Sequence, residues 1–420
     1  MTVNIVSKNF KIQNSHKLDV AIANGRYRTL ETLFSKSSDD IISEVEKSGL
    51  RGKGGGGAPA GPKWRLVPQD STENYLVVNA DESEPGTFKD RQILEFDPHL
   101  LIEGIICSAY AIRANHSYIY IRGEYKFWAK RMNEAIEEAY AKGYLGKDIC
   151  GSGFNLELVL HRGAGAYICG EKTALLESME GKRGHPRLKP HQKECDWFYG
   201  KPTIVNNVET IATVPFIIEN GYEAYTSMGT AKSPGCMLFG MSGNINNPGV
   251  YELPFGLKMT EVIEKLGGGV KNGKKLKAVI PGGVSCPVLT ASEVENAVLD
   301  YESMRDIGSA LGTGGMIIID EDASMVEVAK NIIEFYHHES CGQCTPCRQG
   351  TGWIDGILNN MLNCNCGDLN DIDAINDICD IMNGKTVCVF APAVSDIISS
   401  LINKFRSEFD EVLRRCECKI

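Results

Sequence analysis

Residues 75–86 of this 420-residue chain read Tyr75-Leu-Val-Val-Asn-Ala-Asp-Glu-Ser-Glu-Pro-Gly86 and combine a strand pattern with an acidic loop. The first four residues are apolar, β-branched or aromatic types that favour a strand. Comparable strand patterns lie at 117–121 and 156–160, and they alternate with helical patterns at 100–112, 129–142 and 171–179. This alternation predicts an α/β domain with a largely parallel sheet.

The acidic loop that begins at Asn79 is a candidate binding segment. Polar side chains at the carboxyl end of a strand are where open α/β sheets place their ligand contacts. Taken alone, residues 79–86 are equally typical of a solvated turn, so both interpretations remain open.

Two glycine-rich segments flank this loop in the sequence. Residues 51–59 read Arg51-Gly-Lys-Gly-Gly-Gly-Gly-Ala-Pro59 and contain a formal G-x-G-x-x-G pattern. A dinucleotide fingerprint needs a strand before it, whereas a helix is predicted here at 38–49 from a capping box of Ser37 and Asp40. The glycines still allow backbone N–H groups to approach an anion or a flat ring, with Lys63 available for charge. A flexible surface loop is the alternative.

The second glycine segment, Arg162-Gly-Ala-Gly-Ala-Tyr167, follows a predicted strand and precedes a predicted helix. Phosphates and cofactors bind in this context, because the N-terminus of a helix presents free N–H groups. The segment is therefore a second candidate cofactor loop.

Composition excludes several classes of protein. Hydrophobic residues make up 43% and charged residues 23%, and the net charge of −10 argues against a phosphate-driven nucleic-acid binder. The longest apolar run, residues 211–218, is far shorter than the ~18 residues of a membrane span. Residues 1–35 carry few apolar repeats and no leader-type apolar core, so a surface extension is expected. Fifteen irregularly spaced cysteines indicate reduced thiols and a metal site rather than a disulfide scaffold.

The cysteine segment Glu339-Ser-Cys341-Gly-Gln-Cys344-Thr-Pro-Cys347-Arg348 is the strongest chemical signal. Thiolates at i, i+3 and i+6 can ligate three corners of an iron–sulfur cubane, with a fourth thiolate from elsewhere. Cys388 is favoured as that ligand because it lies in a turn between two predicted helices. Structural zinc and unligated thiols remain alternatives. The other candidates for the fourth ligand are Cys364, Cys366, Cys379, Cys416 and Cys418.

The texture of the sequence changes twice after the α/β region. Short strands separated by glycine turns predict a small α+β module, and almost continuous helical periodicity follows from residue 324. The predicted boundaries are 1–35 for the extension, 36–230 for the α/β domain, 231–322 for the α+β domain and 323–420 for a helical bundle.

Together these motifs resemble the flavin-carrying, NADH-oxidising subunit of respiratory complex I and the related diaphorase subunits of NAD-linked hydrogenases and formate dehydrogenases. The resemblance implies a Rossmann-like FMN-binding domain, a ubiquitin-like α+β domain and a helical bundle that carries a [4Fe–4S] cluster. The matching stretches are 48–52, 78–87, 120–124, 162–171, 186–190, 202–210 and 338–348.

The resemblance also assigns residues and partners. It implies that NADH passes a hydride to FMN near Glu84 and Tyr167, and that electrons then leave singly through the cluster. A thioredoxin-like [2Fe–2S] subunit and a large multi-cluster iron–sulfur subunit are the implied partners, on a peripheral arm facing the bacterial cytoplasm or the mitochondrial matrix. The implied FMN and NAD(H) contacts are Gly52, Gly54, Gly55, Lys63, Asn79, Asp81, Glu82, Ser83, Gly170, Glu171, Lys172, Asn206, Asn207 and Thr210, and the implied cluster ligands are Cys341, Cys344, Cys347 and Cys388.

The sequence departs from the family at the nucleotide side of the pocket. Aromatic residues that sandwich the adenine in the family are replaced by Ala58, Leu66 and Gln192, and a family glutamate is replaced by Lys172. Losing all three rings would weaken nucleotide binding by roughly one to three decades. A lysine in place of the acid would favour the extra phosphate of NADPH.

Several functions therefore remain open. The chain is a normal NADH dehydrogenase subunit with substitute stacking from 197–199, a flavoprotein shifted towards NADPH, or a largely structural subunit that keeps its cofactors. A diaphorase subunit of an NAD-linked hydrogenase or formate dehydrogenase is a further alternative.

Overall fold

The computed structural model describes residues 1–68, 70–71, 73–188, 195–363 and 370–417. Within these ranges the chain forms an α/β domain, a second mixed domain with its own five-stranded sheet, and a helical bundle. The predicted fold class is confirmed.

The α/β domain surrounds one five-stranded sheet. Most helices and strands begin and end within a few residues of the predicted bounds, and the capping box of Ser37 and Asp40 is present at the start of the third helix. The elements are α1 (Leu18–Ala23), α2 (Thr29–Phe34), α3 (Ser38–Lys47), α4 (Ala60–Trp64), β1 (Tyr75–Ala80), α5 (Asp90–Phe96), α6 (Pro98–Ala111), β2 (His116–Ile121), α7 (Lys126–Lys142), β3 (Glu157–Arg162), α8 (Lys172–Met179), β4 (Asp196–Phe198), β5 (Lys201–Asn207), α9 (Val208–Asn220) and α10 (Tyr222–Thr226).

The strand order of this sheet is β3-β2-β1-β5-β4, and all neighbours are parallel except the edge strand β4. Asn79 lies opposite Asn207 in the register of β1 and β5, and opposite Tyr120 in that of β1 and β2. The carboxyl ends of the three central strands therefore meet at one edge, which is where the acidic loop and the residues after β5 emerge.

The close packing of α6 against α9 supports the sheet from one side. Almost every residue of α6 is buried. A Cβ atom at Gly104 would lie 2.2 Å from the carbonyl oxygen of Ile211, so only glycine permits this approach of the two helices. The helix pair fixes the N-terminus of α9 beneath the carboxyl edge.

The second domain is a mixed sheet with strand order β7-β6-β10-β8-β9. Its central strands β6 and β10 are parallel and the outer pairs are antiparallel, which agrees with the predicted ubiquitin-like arrangement. The elements are β6 (Cys236–Gly243), β7 (Gly249–Pro254), α11 (Met259–Lys265), β8 (Leu276–Ile280), β9 (Leu289–Thr290), α12 (Ala291–Val294), α13 (Tyr301–Asp306) and β10 (Gly315–Asp320).

The C-terminal region is helical, as predicted, but one predicted element is wrong. Residues 394–413 form two helices rather than one, because Phe405 adopts φ −122° and ψ 27° and interrupts the helical backbone. The helices are α14 (Met325–Glu339), α15 (Thr345–Asn363), α16 (Asn370–Met382), α17 (Phe390–Lys404) and α18 (Arg406–Glu417). None of the described helices is long and apolar enough to cross a membrane.

The predicted surface location of residues 1–35 is also wrong. Val6, Leu30 and Leu33 are fully or almost fully buried in the core of the α/β domain. The apolar residues of this segment are widely spaced, so the periodicity search missed them, although two short helices bring them to the same side.

A buried carboxylate ties this N-terminal segment to the second domain. Glu252 of β7 accepts the backbone N–H groups of Ile5, Val6 and Ser7 at 3.0, 2.8 and 2.9 Å. Three main-chain donors directed at one carboxylate form a strong charge-assisted contact.

Replacing Glu252 with alanine is expected to lower the thermal unfolding midpoint, because three backbone donors lose their acceptor. The loss is about 3 kcal/mol, given roughly 1–3 kcal/mol for each buried donor left without a partner. Glu261→Ala is the matched control, since its pair with Lys265 is exposed and such pairs contribute below about 1 kcal/mol. Differential scanning calorimetry measures both, and equal midpoints would contradict the contact.

Candidate functional site

The carboxyl edge of the first sheet brings the acidic loop and the second glycine segment together. The Asn79 side chain donates Nδ2–H to the Gly170 carbonyl at 2.9 Å, and its Oδ1 accepts the Asp81 N–H at 3.0 Å. Gly170 ends a short 3₁₀ turn that begins at Tyr167. Two segments that lie 91 residues apart therefore form one surface.

The first glycine loop lies against the N-terminus of α9. Lys53 donates its backbone N–H to Thr210 Oγ1 at 2.9 Å, and a Cβ atom at Gly54 would lie 3.1 Å from the Cβ of Asn207. Gly55 adopts φ +110°, a backbone conformation that favours glycine. The loop, Asn207 and Thr210 thus form a cradle with little side-chain bulk.

A buried network of four charges lies beneath this cradle. Lys53 Nζ lies 3.3 Å from Glu209 Oε1, and Lys89 Nζ lies 2.7 Å from Glu209 Oε2. Lys89 also pairs with Asp90 at 2.8 Å, and Asn207 donates Nδ2–H to the other oxygen of Asp90 at 2.6 Å. Although burial opposes both ammonium charges, Glu209 raises the pKa of Lys53, and Asp90 and Glu209 raise that of Lys89.

This network holds cradle residues through its members. Asn207 also caps α9 by accepting the Glu209 N–H at 3.0 Å, so one side chain links the helix to Asp90. Sequence reasoning missed Lys89 and Glu209 because an isolated lysine or glutamate carries no signal of burial.

The acidic loop uses two of its carboxylates as structural acceptors. Glu82 accepts the Asp90 N–H at 2.6 Å and the Arg91 Nε–H at 2.9 Å. Glu84 accepts the hydroxyl of Tyr167 at 2.6 Å, which joins the two residues predicted to be catalytic. Burial raises the pKa of Glu84, and the hydrogen bond from Tyr167 opposes that shift.

Asp81 is the group that best tests whether a flavin fits here. Burial raises its pKa to about 7. Its Oδ1 atom is buried and has no hydrogen-bond partner among the described residues. A buried polar atom without a partner requires an explanation, and a polar ligand such as the flavin supplies one. The neighbouring glycine cradle admits a flat ring, so the residues present fit FMN.

Other predicted contacts have partners within the protein. The Lys63 ammonium donates to the Val205 carbonyl, and Trp64 donates Nε1–H to Asn206 Oδ1 at 3.1 Å. Glu171 caps α8 by accepting two backbone N–H groups at 2.9 Å. Gly52 and Ser83 lie in the two loops described above. These residues lie around the cradle, and their direct contact with a cofactor remains a prediction.

The departures at the nucleotide side have a mixed outcome. Ala58 is exposed, Leu66 is 38% exposed, and Gln192 lies outside the described residues. Phe198 is buried against the rings of Tyr75 and Tyr118, so the suggestion that it provides substitute stacking is wrong.

Lys172 does not present an isolated positive charge. Its ammonium lies 2.8 Å from Asp196 Oδ2, and the Asp196 side chain is only 10% exposed. The ion pair offsets the lysine charge, which weakens the argument for a preference for NADPH.

The four predicted cluster ligands border one cavity. Cys341, Cys344, Cys347 and Cys388 line it together with Ile168 and four further residues. The Cys344 sulfur accepts the Val387 N–H at 3.4 Å. Burial raises the pKa of Cys388 to about 11, so a bound metal is needed to hold this thiol as a thiolate.

This arrangement favours a cluster over zinc. Among the described residues, no three His, Cys, Asp or Glu side chains form a group that could hold a metal ion. Four thiols spread around a cavity suit a cubane, whose iron atoms sit at separate corners. Of the other candidates, Cys379 is buried in the bundle and does not border the cavity. Cys364, Cys366 and Cys418 lie outside the described residues, as does the side chain of Cys416.

A glycine cradle at the carboxyl edge of a parallel sheet, with a four-thiol cavity beside it, defines a flavin- and iron–sulfur-binding redox protein. Models of protein families agree along the chain. Residues 45–216 match the Nuo51 FMN-binding domain, residues 237–319 the SLBB domain, and residues 327–412 the NADH-ubiquinone oxidoreductase-F iron-sulfur binding region. The chain belongs to the family of the NADH-quinone oxidoreductase F subunits, and its cofactors are FMN and a [4Fe–4S] cluster.

Full-length relatives support this assignment. The chain is 45% identical to the second F subunit of the NADH-quinone oxidoreductases of Rhizobium meliloti, over 99% of this chain and 98% of the relative. It is 48% identical to the corresponding F subunit of Mycobacterium tuberculosis, over 91% and 86%. An NAD⁺-reducing [NiFe]-hydrogenase in the H₂-reduced state superposes with a TM-score of 0.83 at 32% identity, covering 92% of this chain and 65% of the hydrogenase chain.

Cys388→Ser is expected to abolish the normal [4Fe–4S] cluster, because a hydroxyl is a much harder ligand than a thiolate. The cluster is measured by iron and acid-labile sulfide content and by electron paramagnetic resonance of the reduced protein. Cys150→Ser is the control, since Cys150 is exposed and does not border the cavity. Unchanged iron and sulfide in Cys388→Ser would show that another residue provides the fourth ligand.

Lys89→Met is expected to destabilise the protein by about 3–5 kcal/mol, because it leaves Asp90 buried beside an incompletely neutralised Glu209. The thermal midpoint would fall by several degrees and FMN would be lost more readily. Lys126→Met, at an exposed position of α7, is the control. Midpoints and retained flavin fluorescence measure the effect, and equal values for both variants would exclude a supporting role for the network.

Proposed function

We propose that this chain is the electron-input subunit of a complex I-type NADH:quinone oxidoreductase. It oxidises NADH by hydride transfer to FMN and delivers electrons singly to the [4Fe–4S] cluster, from which they pass towards quinone. The family assignment supports the activity, and the roles of individual residues are part of the proposal.

One observation carries the proposal: the turn from Tyr167 to Gly170 contacts both the flavin cradle and the cluster cavity. Gly170 is bonded to Asn79, and Ile168 lines the cavity of the four thiols. The backbone N–H of Tyr167 also donates to Glu339 Oε2 at 2.9 Å, two residues before Cys341. A single turn therefore brings the donor and acceptor of the internal electron transfer into proximity.

The aromatic packing of Tyr167 makes this junction rigid. Its ring lies 5.1 Å from that of Phe335, 6.1 Å from that of Tyr336 and 5.8 Å from that of Phe390, measured between centroids. Phe390 begins α17 and follows Cys388 by two residues. These edge-to-face contacts fix the Tyr167 hydroxyl on Glu84.

When bound, FMN accepts a hydride and releases electrons one at a time, and the cluster carries one electron. The residues of the chain orient and insulate these groups. Asn79 fixes the acidic loop, Asp81 offers an unpartnered carboxylate oxygen, and Tyr167 holds Glu84 in one orientation. The buried charge network keeps the glycine cradle in place.

The alternative of a hydrogenase diaphorase subunit is less well supported. The chain covers 98% and 96% of the F subunits of Rhizobium meliloti and Rickettsia typhi, but only 65% and 67% of two hydrogenase chains. The match to these F subunits therefore extends over almost the whole relative, which favours complex I.

The partners are proposed to be a thioredoxin-like [2Fe–2S] subunit and a large multi-cluster iron–sulfur subunit, on a peripheral arm facing the bacterial cytoplasm or mitochondrial matrix. Val389 adjoins the cluster ligand Cys388 and is 75% exposed. An apolar side chain exposed beside the cluster suits a surface that an electron-accepting subunit covers.

Anaerobic titration of the purified chain is expected to bleach the flavin absorbance with NADH at micromolar concentrations and only weakly with NADPH, because Asp196 offsets the charge of Lys172. Asp196→Asn frees that charge and is expected to strengthen the response to NADPH. Arg113→Gln is a control of surface charge, since Arg113 contacts the exposed Asp39.

The titration separates the alternatives. Bleaching only by NADPH would establish an NADPH-dependent flavoprotein. No bleaching by either nucleotide, with FMN bound and reducible by dithionite, would contradict NADH oxidation by this chain and leave a structural subunit.

A further inference from the structure

We propose that the ubiquitin-like domain orients the Glu84 carboxylate at the flavin through one loop, residues 282–286, and that Gly283 and Ser285 are positioning residues for hydride transfer. The proposal rests on the proposed function, in which Glu84 lies at the reacting rings. It assigns a task in the redox site to a domain that contributes none of the predicted cofactor contacts.

The Glu84 carboxylate is held from two domains. Its Oε1 accepts the Ser285 backbone N–H at 2.7 Å, and its Oε2 accepts the Tyr167 hydroxyl at 2.6 Å. One donor lies on each oxygen, so rotation of the carboxylate would break both bonds. Two directed donors of this kind fix a side chain far better than packing alone.

The 282–286 loop is itself fixed on both sides. Gly283 donates its N–H to the Gly315 carbonyl at 2.8 Å, and Val284 donates to the Pro85 carbonyl at 3.3 Å. The Thr313 hydroxyl donates to the Gly282 carbonyl at 2.9 Å. The loop thus contacts both its own sheet and the residue that follows Glu84.

Gly283 is required by space and by backbone conformation. Its φ is +92°, and a Cβ atom would lie 2.5 Å from Glu84 Cγ and 2.7 Å from Glu84 Oε1. Any side chain at this position must displace Glu84 or the loop. Gly308, in the same domain, provides a matched comparison, because its φ is +74° but nothing lies within 4 Å of a Cβ atom there.

The expected effect of displacing Glu84 follows from its charge. A carboxylate close to the flavin disfavours the addition of electrons, so moving it away makes reduction easier. The hydride acceptor is then less well aligned with its surroundings, and a misplacement of about 1 Å in such a site costs tenfold or more in rate.

The test compares Gly283→Ala, Gly308→Ala, Glu84→Gln and the double variant Gly283→Ala/Glu84→Gln in the assembled complex. The readouts are FMN content, the flavin midpoint potential from an anaerobic redox titration, and kcat for NADH oxidation. We expect Gly283→Ala to keep its FMN, to shift the potential in the positive direction as Glu84→Gln does, and to lower kcat about tenfold. Gly308→Ala should change neither, and the double variant should match Glu84→Gln alone.

The outcomes distinguish the inference from the function on which it rests. If Glu84→Gln changes neither potential nor kcat, the proposed role of Glu84 fails and the inference fails with it. If Glu84→Gln has its effect but Gly283→Ala behaves as Gly308→Ala, or the two effects add in the double variant, only the inference is overturned.

A second variant keeps the test decisive if Gly283→Ala does not fold. Thr313→Val removes the hydroxyl that holds Gly282 and adds no bulk near Glu84. We expect a smaller positive shift of the flavin potential, which disappears in the Glu84→Gln background. An unchanged potential in Thr313→Val would then overturn the proposal.

Discussion

The pairing of Glu209 with two buried lysines is the constraint on which the redox site depends. Neither Lys53 nor Lys89 could remain charged in the interior without this carboxylate, since an unpaired buried charge costs several kcal/mol. Lys53 belongs to the glycine loop, and Glu209 lies in the first turn of α9. The same glutamate accepts the Leu238 N–H of β6 at 2.7 Å, so loop, helix and second domain are fixed at one point. A cradle of glycines has little rigidity of its own, and this network supplies it.

The fold could be predicted well because local signals and packing agree. The strand beginning at Tyr75 and the helix capped by Ser37 obey simple rules of propensity and capping, and both are present. The cysteine spacing at Cys341, Cys344 and Cys347 similarly predicted thiols that border one cavity, with Cys388 as the fourth. The failures occurred where tertiary contacts override local pattern, as in the N-terminal segment and at Phe405.

The support of the site could not be predicted, because it consists of contacts between residues far apart in the sequence. The bond from Ser285 to Glu84 spans 201 residues and uses only a backbone N–H, which leaves no trace in residue type. The ion pair of Lys172 with Asp196 likewise changed the meaning of a substitution that, in isolation, suggested a phosphate site. Residue types identified the chemistry, whereas the interior determined how each charge is balanced.

The contact of Glu252 with residues 5–7 has a consequence for synthesis of the chain. The backbone donors precede their acceptor by 245 to 247 residues. At about 5–20 residues per second, they leave the ribosome roughly 12–50 s before the carboxylate exists. Throughout that interval the amino-terminal segment lacks the acceptor that holds it in the native state. Its attachment is therefore a late event on the ribosome, which joins the beginning of the polypeptide to a domain translated much later.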